Sequence, residues 1–478
     1  MTTHQSHVLT PQTGLWLLVI FGVLWVALGM WWGRRARDAE GFMLAGRNVG
    51  LALGTATAMA TWITSNTTML APVFALKQGV WGMLAYATAS FGLMLFAPMA
   101  FRIHRLLPKG FTSGDFFRLR FGHTAWLLFL TISLLYSMAW LVTMAIAGGE
   151  LVEALSGIPY LTGLTVILAV CILYTLFGGL FAVIGTDFVQ SLLILAGIVI
   201  IGATVLTQTT IPEMAGHLRV EQPELIALFM PVALLAVFNN MFFGFGEVFH
   251  NNVWWSRVFA MRRRVAPKAF FLAGLLWFPI PIAAGFVALS AGVLEINIPQ
   301  ENMTGPLVAS QVMAGAGTFA GILIFVVLFC AIASSIDSLL AATSDLATRD
   351  GYEKIVHRGR TLSDARIRRF GKLAIAAIGL IAWLLALPRW PLQHALFLSG
   401  PLVASVIWPV IAGLYWQKVN RGFIIVAMVL GSATGLIAYF KIGWFTASLV
   451  SVAVSMAITV AGRFAPAPAF DWKHLQKD

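Results

Sequence analysis

The sequence predicts an all-α polytopic membrane protein of about 13 transmembrane helices, and three observations carry that expectation. Of 478 residues, 59% are hydrophobic and only 10% charged, with a mean hydropathy of +0.86. A soluble domain carries about 25% charged residues. Apolar runs recur along the whole chain, and a run of ~20 residues suffices to cross the hydrocarbon core as a helix. These runs are continuous and lack the period-two alternation of a membrane barrel strand.

Taken in order, the spans cover roughly 14–33, 50–76, 80–101, 124–148, 160–177, 180–206, 226–249, 269–294, 317–347, 371–388, 391–416, 421–440 and 443–463. The first, "GLWLLVIFGVLWVALGMWWG", is not a signal peptide. Residues 1–13 hold no Lys or Arg, while Arg34, Arg35, Arg37 and Arg47 follow the run. A signal peptide has the reverse arrangement, so this segment reads as a retained span with its N-terminus outside. The second span is interrupted by the polar "TWITSNTT", and the seventh by "VFNNMFFGFGEV". Each opens a set of five, spans 2–6 and 7–11, and interruptions at matching positions of two halves point to a mid-membrane site in an inverted-repeat transporter. The expected organisation is therefore an extra helix and basic loop (1–49), a first repeat (50–206), a second repeat (207–416) and two added helices with a tail (417–478). Between the fifth and sixth spans, Gly178-Gly179 predicts a tight turn. The loops at 207–225, 295–316 and 349–370 are too short for a catalytic domain.

Charge placement supports the same topology. With the N-terminus outside, 27 of the 31 Lys and Arg fall in the inner loops 34–48, 102–122, 250–268, 349–372 and 417–421 and the C-terminal tail. Only Lys77, Arg219, Arg389 and Lys441 fall outside. That asymmetry is the positive-inside pattern of a cytoplasmic membrane protein with its C-terminus inside. The net charge of +12 is dispersed among loops, which argues against a nucleic-acid partner. Cys171 and Cys330 lie inside apolar spans, so no disulfide framework is expected. None of the nine His lies in mid-span: His4 and His7 precede the first span, and His250 and His357 fall in inner loops. An enzyme would need a clustered nucleophile and base or a metal constellation, so none is expected.

Acids inside spans are the first candidates for function, because a charge at the centre of a membrane helix costs roughly 2.5–3.5 kcal/mol. Asp187, Glu247 and Asp337 meet that description, while Glu150 and Asp345 sit near span ends. On the ninth span Ser334, Asp337 and Ser338 are spaced i, i+3, i+4, with Ser335 on the adjacent row. Four oxygen-bearing side chains on one turn suit a hard cation; the alternative is hydrogen bonding between helices. For Asp187 the alternative is a helix cap or an ion pair with an inner-loop Arg. At the interruptions, Thr64, Ser65, Asn66, Thr67, Asn239 and Asn240 form a neutral polar set, with Tyr86, Tyr136 and Trp140 on neighbouring spans.

At these residues the chain resembles the sodium:solute symporter family. The segments that carry the likeness are "FMLAGRNVG" (42–50), "GGLFAVIGTDFVQ" (178–190), "WSRVFAMRRRVAPKA" (255–269) and "AIASSIDSLLAATSDLATRDGY" (331–352). The resemblance implies a LeuT-like five-plus-five inverted repeat and Na+ as coupling ion, with H+ as the alternative. It further implies a main sodium site made by the carbonyls of Ala60, Ile63 and Ala331 and the hydroxyls of Ser334 and Ser335. A second cation or proton site would use Asp187, Asp337 and Ser338. Family members with this second ion tend to carry hydroxyls where this chain has Asp337 and Ser338, so Asp337 departs from the pattern. Sugar-transporting members carry an acid–amide pair where this chain has Asn66 and Thr67, which argues against a sugar. "WFPIPIAAGFVAL" (277–289) and the "TW" of the second span resemble the urea/polyamine branch. The expected activity is sodium-coupled symport of a small polar organic solute, urea-like or a small zwitterion. Thr64, Ser65, Asn66, Thr67, Tyr86, Asn239 and Asn240 are the expected substrate contacts. A solute sensor on the same fold is disfavoured because "FDWKHLQKD" carries no signalling domain.

Overall fold

The computed structural model describes residues 8–227, 229–298, 300–360 and 362–476, without the side chains of Asn66, Gln393 and Ala395. His4 and His7 lie outside the described residues. In order, the helices are α1 (Pro11–Gly33), α2 (Ala39–Leu44), α3 (Leu51–Trp62), α4 (Ala71–Ala87), α5 (Phe91–Leu106), α6 (Ser113–Phe121) and α7 (His123–Ser156). They continue with α8 (Tyr160–Gly178), α9 (Leu180–Gln208), α10 (Ile211–Glu221), α11 (Pro231–His250), α12 (Asn252–Ala260), α13 (Ala266–Trp277) and α14 (Pro279–Val293). The last set is α15 (Thr304–Val312), α16 (Thr318–Asp345), α17 (Asp364–Ala386), α18 (Leu392–Ala404), α19 (Ile407–Tyr415), α20 (Arg421–Lys441) and α21 (Trp444–Phe464).

Among the described residues, twelve helical stretches are long and apolar enough to cross a membrane. One of them, Thr67–Leu106, has 40 residues, or about 60 Å of helix against a core of about 30 Å. It folds back on itself. Gly79 adopts φ 58° and ψ −134°, a conformation that only glycine takes readily, and a Cβ there would lie 1.6 Å from the Leu225 carbonyl oxygen. Beyond the reversal, a Cβ on Gly82 would lie 2.0 Å from the Phe74 carbonyl oxygen, although eight residues of straight helix span about 12 Å. The stretch is two limbs, the first of which continues from α3, and counting them separately gives thirteen candidate spans among the described residues. The expected turn between α8 and α9 is present, with Gly179 at φ 53°.

α16 is the centre of the molecule. Every residue from Val327 to Leu346 is buried, and the helix packs against α3, α7, α8, α9, α12 and α17. α3, rich in Ala, Gly and Thr, lies against α9, α13 and α16, and its small side chains let backbones approach closely. α20 and α21 pack on each other and against α11 and α18.

Four expectations are corrected. The seventh span is not interrupted at "NNMFFGFGEV", because α11 is a continuous helix from Pro231 to His250. Its glycines serve close packing instead: a Cβ on Gly246 would lie 2.6 Å from the Val403 carbonyl. The bend falls later, at Asn251, whose side chain accepts from the Val253 amide (2.9 Å) and caps α12. Residues 250–261 are consequently not a loop, for α12 is buried throughout. His250 is buried too, its Nδ1 donating to the Gly246 carbonyl at 2.6 Å. Finally, the segments expected as outer loops at 207–225 and 295–316 contain the helices α10 and α15.

Candidate ion and solute site

The helix break is built by its own side chains. α3 stops at Trp62, and Ile63 leaves helical geometry at φ −80°, ψ 86°. Thr67 Oγ1 donates back to the Trp62 carbonyl (3.2 Å) and accepts from the Thr64 amide (3.3 Å). Thr68 Oγ1 lies 3.3 Å from the Thr64 carbonyl. Hydroxyls thus replace part of the helix ladder, and the chain resumes as a wider π-helical turn over Asn66–Leu70. Irregular backbone at membrane depth is tolerated where protein buries it or it lines a cavity. Both conditions hold here.

Facing the break, Ser334 Oγ lies 3.0 Å from the Ala60 carbonyl oxygen and 3.1 Å from that of Ala331. Ser335 Oγ lies 3.0 Å from the Thr61 carbonyl and 3.2 Å from that of Ala331. All five residues are buried. Four of the five expected sodium ligands, Ala60, Ala331, Ser334 and Ser335, therefore converge. Ile63 sits at the break itself, its amide engaged by the Met59 and Ala60 carbonyls at 3.1 Å. The carbonyl paired with Ser335 is that of Thr61, which the sequence reading did not include. A set of neutral carbonyl and hydroxyl oxygens is hard-donor chemistry, suited to an alkali or alkaline-earth cation rather than a soft metal.

One turn along α16, the second expected site contains a residue the sequence reading had placed in a loop. Arg257 of α12 is fully buried. Its Nη2 lies 3.2 Å from Asp187 Oδ2, and donates to Thr61 Oγ1 (2.6 Å) and Ser338 Oγ (2.7 Å). Nε donates to Thr57 Oγ1 (3.1 Å) and Nη1 to the Val253 carbonyl (3.0 Å). Thr57 in turn donates to Asp187 Oδ2 at 2.5 Å. The ion pair with an Arg assigned to the inner loop, held open for Asp187, is what the structure contains. Asp337 is adjacent but differently bound. Its Oδ2 accepts from Tyr174 (2.7 Å) and lies 3.4 Å from Thr186 Oγ1. Asp187 Oδ1 and Asp337 Oδ1 are buried without a hydrogen-bond partner among the described residues. One guanidinium thus stands against two carboxyl groups. The third intramembrane acid, Glu247, holds the Trp254 indole at 2.8 Å.

Next to the break lies a cavity of about 40 Å³. Trp62, Tyr86, Tyr136, Trp140, Phe243 and Trp277 supply aromatic walls, and Thr64, Thr67 and Asn240 supply polar atoms. Trp62 and Trp277 stack at 5.1 Å, and the Trp277 indole donates to the Trp62 carbonyl at 2.7 Å. Of the expected substrate residues, Thr64, Thr67, Tyr86 and Asn240 line this space. Two do not. Ser65 Oγ points at Met144 Sδ (3.3 Å), and Asn239 Oδ1 accepts from the Ser448 amide (2.8 Å), so Asn239 faces α21. The Asn66 side chain lies outside the described residues. Tyr136 and Trp140 are at the cavity, whereas Trp62, Phe243 and Trp277 were not foreseen.

Comparison with known proteins accords with this geometry. The model of the sodium:solute symporter family matches residues 42–431. The urea-proton symporter DUR3 of Oryza sativa subsp. japonica is 26% identical, over 96% of this chain and 68% of that protein. The osmoregulated proline transporter OpuE of Bacillus subtilis is 25% identical, over 91% of this chain and 89% of its own length. A solved structure of a Na+-coupled sialic acid symporter, substrate-bound and outward-open, superposes with a TM-score of 0.80 at 19% identity, covering 96% of this chain and 99% of that one. MhsT in complex with L-phenylalanine superposes at 0.59. The fold is LeuT-like, as the resemblance implied, and the chain belongs to the sodium:solute symporter family.

Proposed function

We propose that the protein is a secondary active transporter that moves a small polar organic solute, urea-like or a small zwitterion, into the cell with sodium. The observation that carries this reading is one shared element. The break after Trp62 presents the Ala60 and Thr61 carbonyls to Ser334 and Ser335, and it also forms the cavity wall through Trp62, Thr64 and Thr67. A cation between α3 and α16 would hold the break in the form that lines the cavity. Ion and solute then bias the same conformational equilibrium, which is what coupling requires. The residues that would hold the ion are Ala60, Thr61, Ala331, Ser334 and Ser335, with Ile63 at the edge. The test is uptake into proteoliposomes with and without a sodium gradient. Ser334→Ala and Ser335→Ala are expected to raise the half-saturating sodium concentration about 10-fold, equivalent to ~1.4 kcal/mol. Unchanged sodium dependence in both variants would refute the assignment.

A second reading, proton coupling, is favoured by one observation. Asp187 takes the one buried guanidinium, and Asp337 beside it has only hydroxyls as side-chain partners among the described residues, which leaves its carboxyl to be neutralised by a proton or a second cation. The rice relative, a urea-proton symporter by name, is in line with it. Uptake driven by a pH gradient in the absence of sodium would select this reading.

A further inference from the structure

Two residues that line the cavity beside the break carry polar atoms that the fold itself leaves unused. Both the Oδ1 and the Nδ2 of Asn240 are buried without a partner among the described residues, and so is Nε1 of Trp140. Asn240 is 4% exposed and Trp140 2%, and both line the cavity. Buried polar groups are almost always paired, so three orphans on one small space point to a ligand that completes them. Together they ask for one acceptor and one donor on Asn240 and one acceptor opposite the indole.

The cavity's remaining features narrow the ligand further. Among the described residues no charged side chain lines it. Much of the break's own backbone polarity is already used. The amides of Ile63, Thr64, Thr67 and Thr68 are already engaged by Met59, Ala60, Thr64 and Thr67, and the Trp62 carbonyl is held by Trp277 and Thr67. The cavity is small, about 40 Å³, which favours a solute of few heavy atoms over a bulky one. Indole and phenol faces on several sides favour a flat molecule.

We propose that the transported solute is an uncharged planar amide of about urea's size, recognised edge-on by the Asn240 carboxamide and the Trp140 indole N–H. A carbonyl flanked by amino groups satisfies all three orphans. An amino-acid zwitterion would bring a carboxylate into a site that no cationic side chain lines among the described residues. This rests on the reading of the cavity as the transport site and chooses between that reading's two solute classes.

The experiment is sodium-driven uptake of labelled urea and labelled proline into proteoliposomes, each competed by acetamide, thiourea, glycine and glycine betaine. Urea is expected to accumulate, and acetamide and thiourea to compete while the zwitterions do not. Trp140→Phe, which removes the N–H together with part of the ring wall, and Asn240→Ala are each expected to raise the KM for urea at least 5-fold. Their half-saturating sodium at saturating solute, and their thermal stability in detergent, should stay within 2-fold and a few degrees of the parent. A purely structural role would lower stability and leave KM alone. Sodium-driven proline uptake with no competition by amides would overturn the proposal and leave the symporter reading standing. Absence of sodium-driven uptake for both solutes would overturn the two together.

Discussion

Arg257 ties four helices through one guanidinium: its own α12, α3 through Thr57 and Thr61, α9 through Asp187 and α16 through Ser338. Removing one partner of a buried ion pair costs about 3–5 kcal/mol, because the other charge is left uncompensated. Arg257→Gln is therefore expected to lower thermal stability in detergent sharply, with partial recovery when Asp187→Asn is added. A melting temperature unchanged by the single substitution would contradict the pair's structural weight. Asp337 stands apart, held by Tyr174 and Thr186. With one sodium per cycle, Asp337→Asn keeps the steepness of the sodium titration; a drop in steepness puts a second ion on Asp337. At this scale the spacing of Ser334, Asp337 and Ser338 marks a polar face on an apolar span, while the choice of Ser334 and Ser335 as the pair facing the break comes from the family resemblance. Arg257 was not legible, because it was grouped with the neighbouring loop Arg262–Arg264. Its flanks differ from theirs: Val253, Trp254 and Trp255 precede it and Val258, Phe259 and Ala260 follow, and that context was the available signal.

Among the elements, the two interruptions read from sequence had opposite outcomes for a physical reason. "TWITSNTT" brings hydroxyls that bond to the carbonyls a break exposes, so the break stabilises itself. Asn239, Asn240, Gly244 and Gly246 lack that arrangement. The glycines admit neighbouring backbones, and Asn239 bonds across to α21, so α11 stays helical. Break signals and close-packing signals use the same residue types, and only the partner helices distinguish them. Thr67→Val keeps the shape but loses the bond to Trp62. Both the solute KM and the half-saturating sodium are expected to rise about 2–10-fold, the worth of one hydrogen bond of roughly 0.5–1.5 kcal/mol. A change in the solute KM alone would show that the break is not shared by the two ligands.

For the whole molecule, the candidate spans and the asymmetry of Lys and Arg are legible because hydropathy and loop charge are additive along the chain. Taking Arg257 out of the inner loop leaves 26 of the 31 on that side, so the orientation argument survives the correction. The buried packing around α16 was not legible, since an apolar helix in lipid and one in a protein core have the same composition. The orientation itself is testable by cysteine labelling, with the native Cys171 and Cys330 both buried and silent. Arg219 and Lys473 are exposed. A membrane-impermeant maleimide is expected to label Arg219→Cys in intact cells and Lys473→Cys only after lysis. The reverse pattern would invert the topology and the direction of transport.

The most direct test of the central claim, that a cation bound between the α3 break and α16 drives solute binding, is the sodium titration of uptake in the Ser334→Ala protein. The account predicts a half-saturating sodium concentration about 10-fold above the parent, with transport restored at high sodium. A titration that superimposes on the parent's would contradict it.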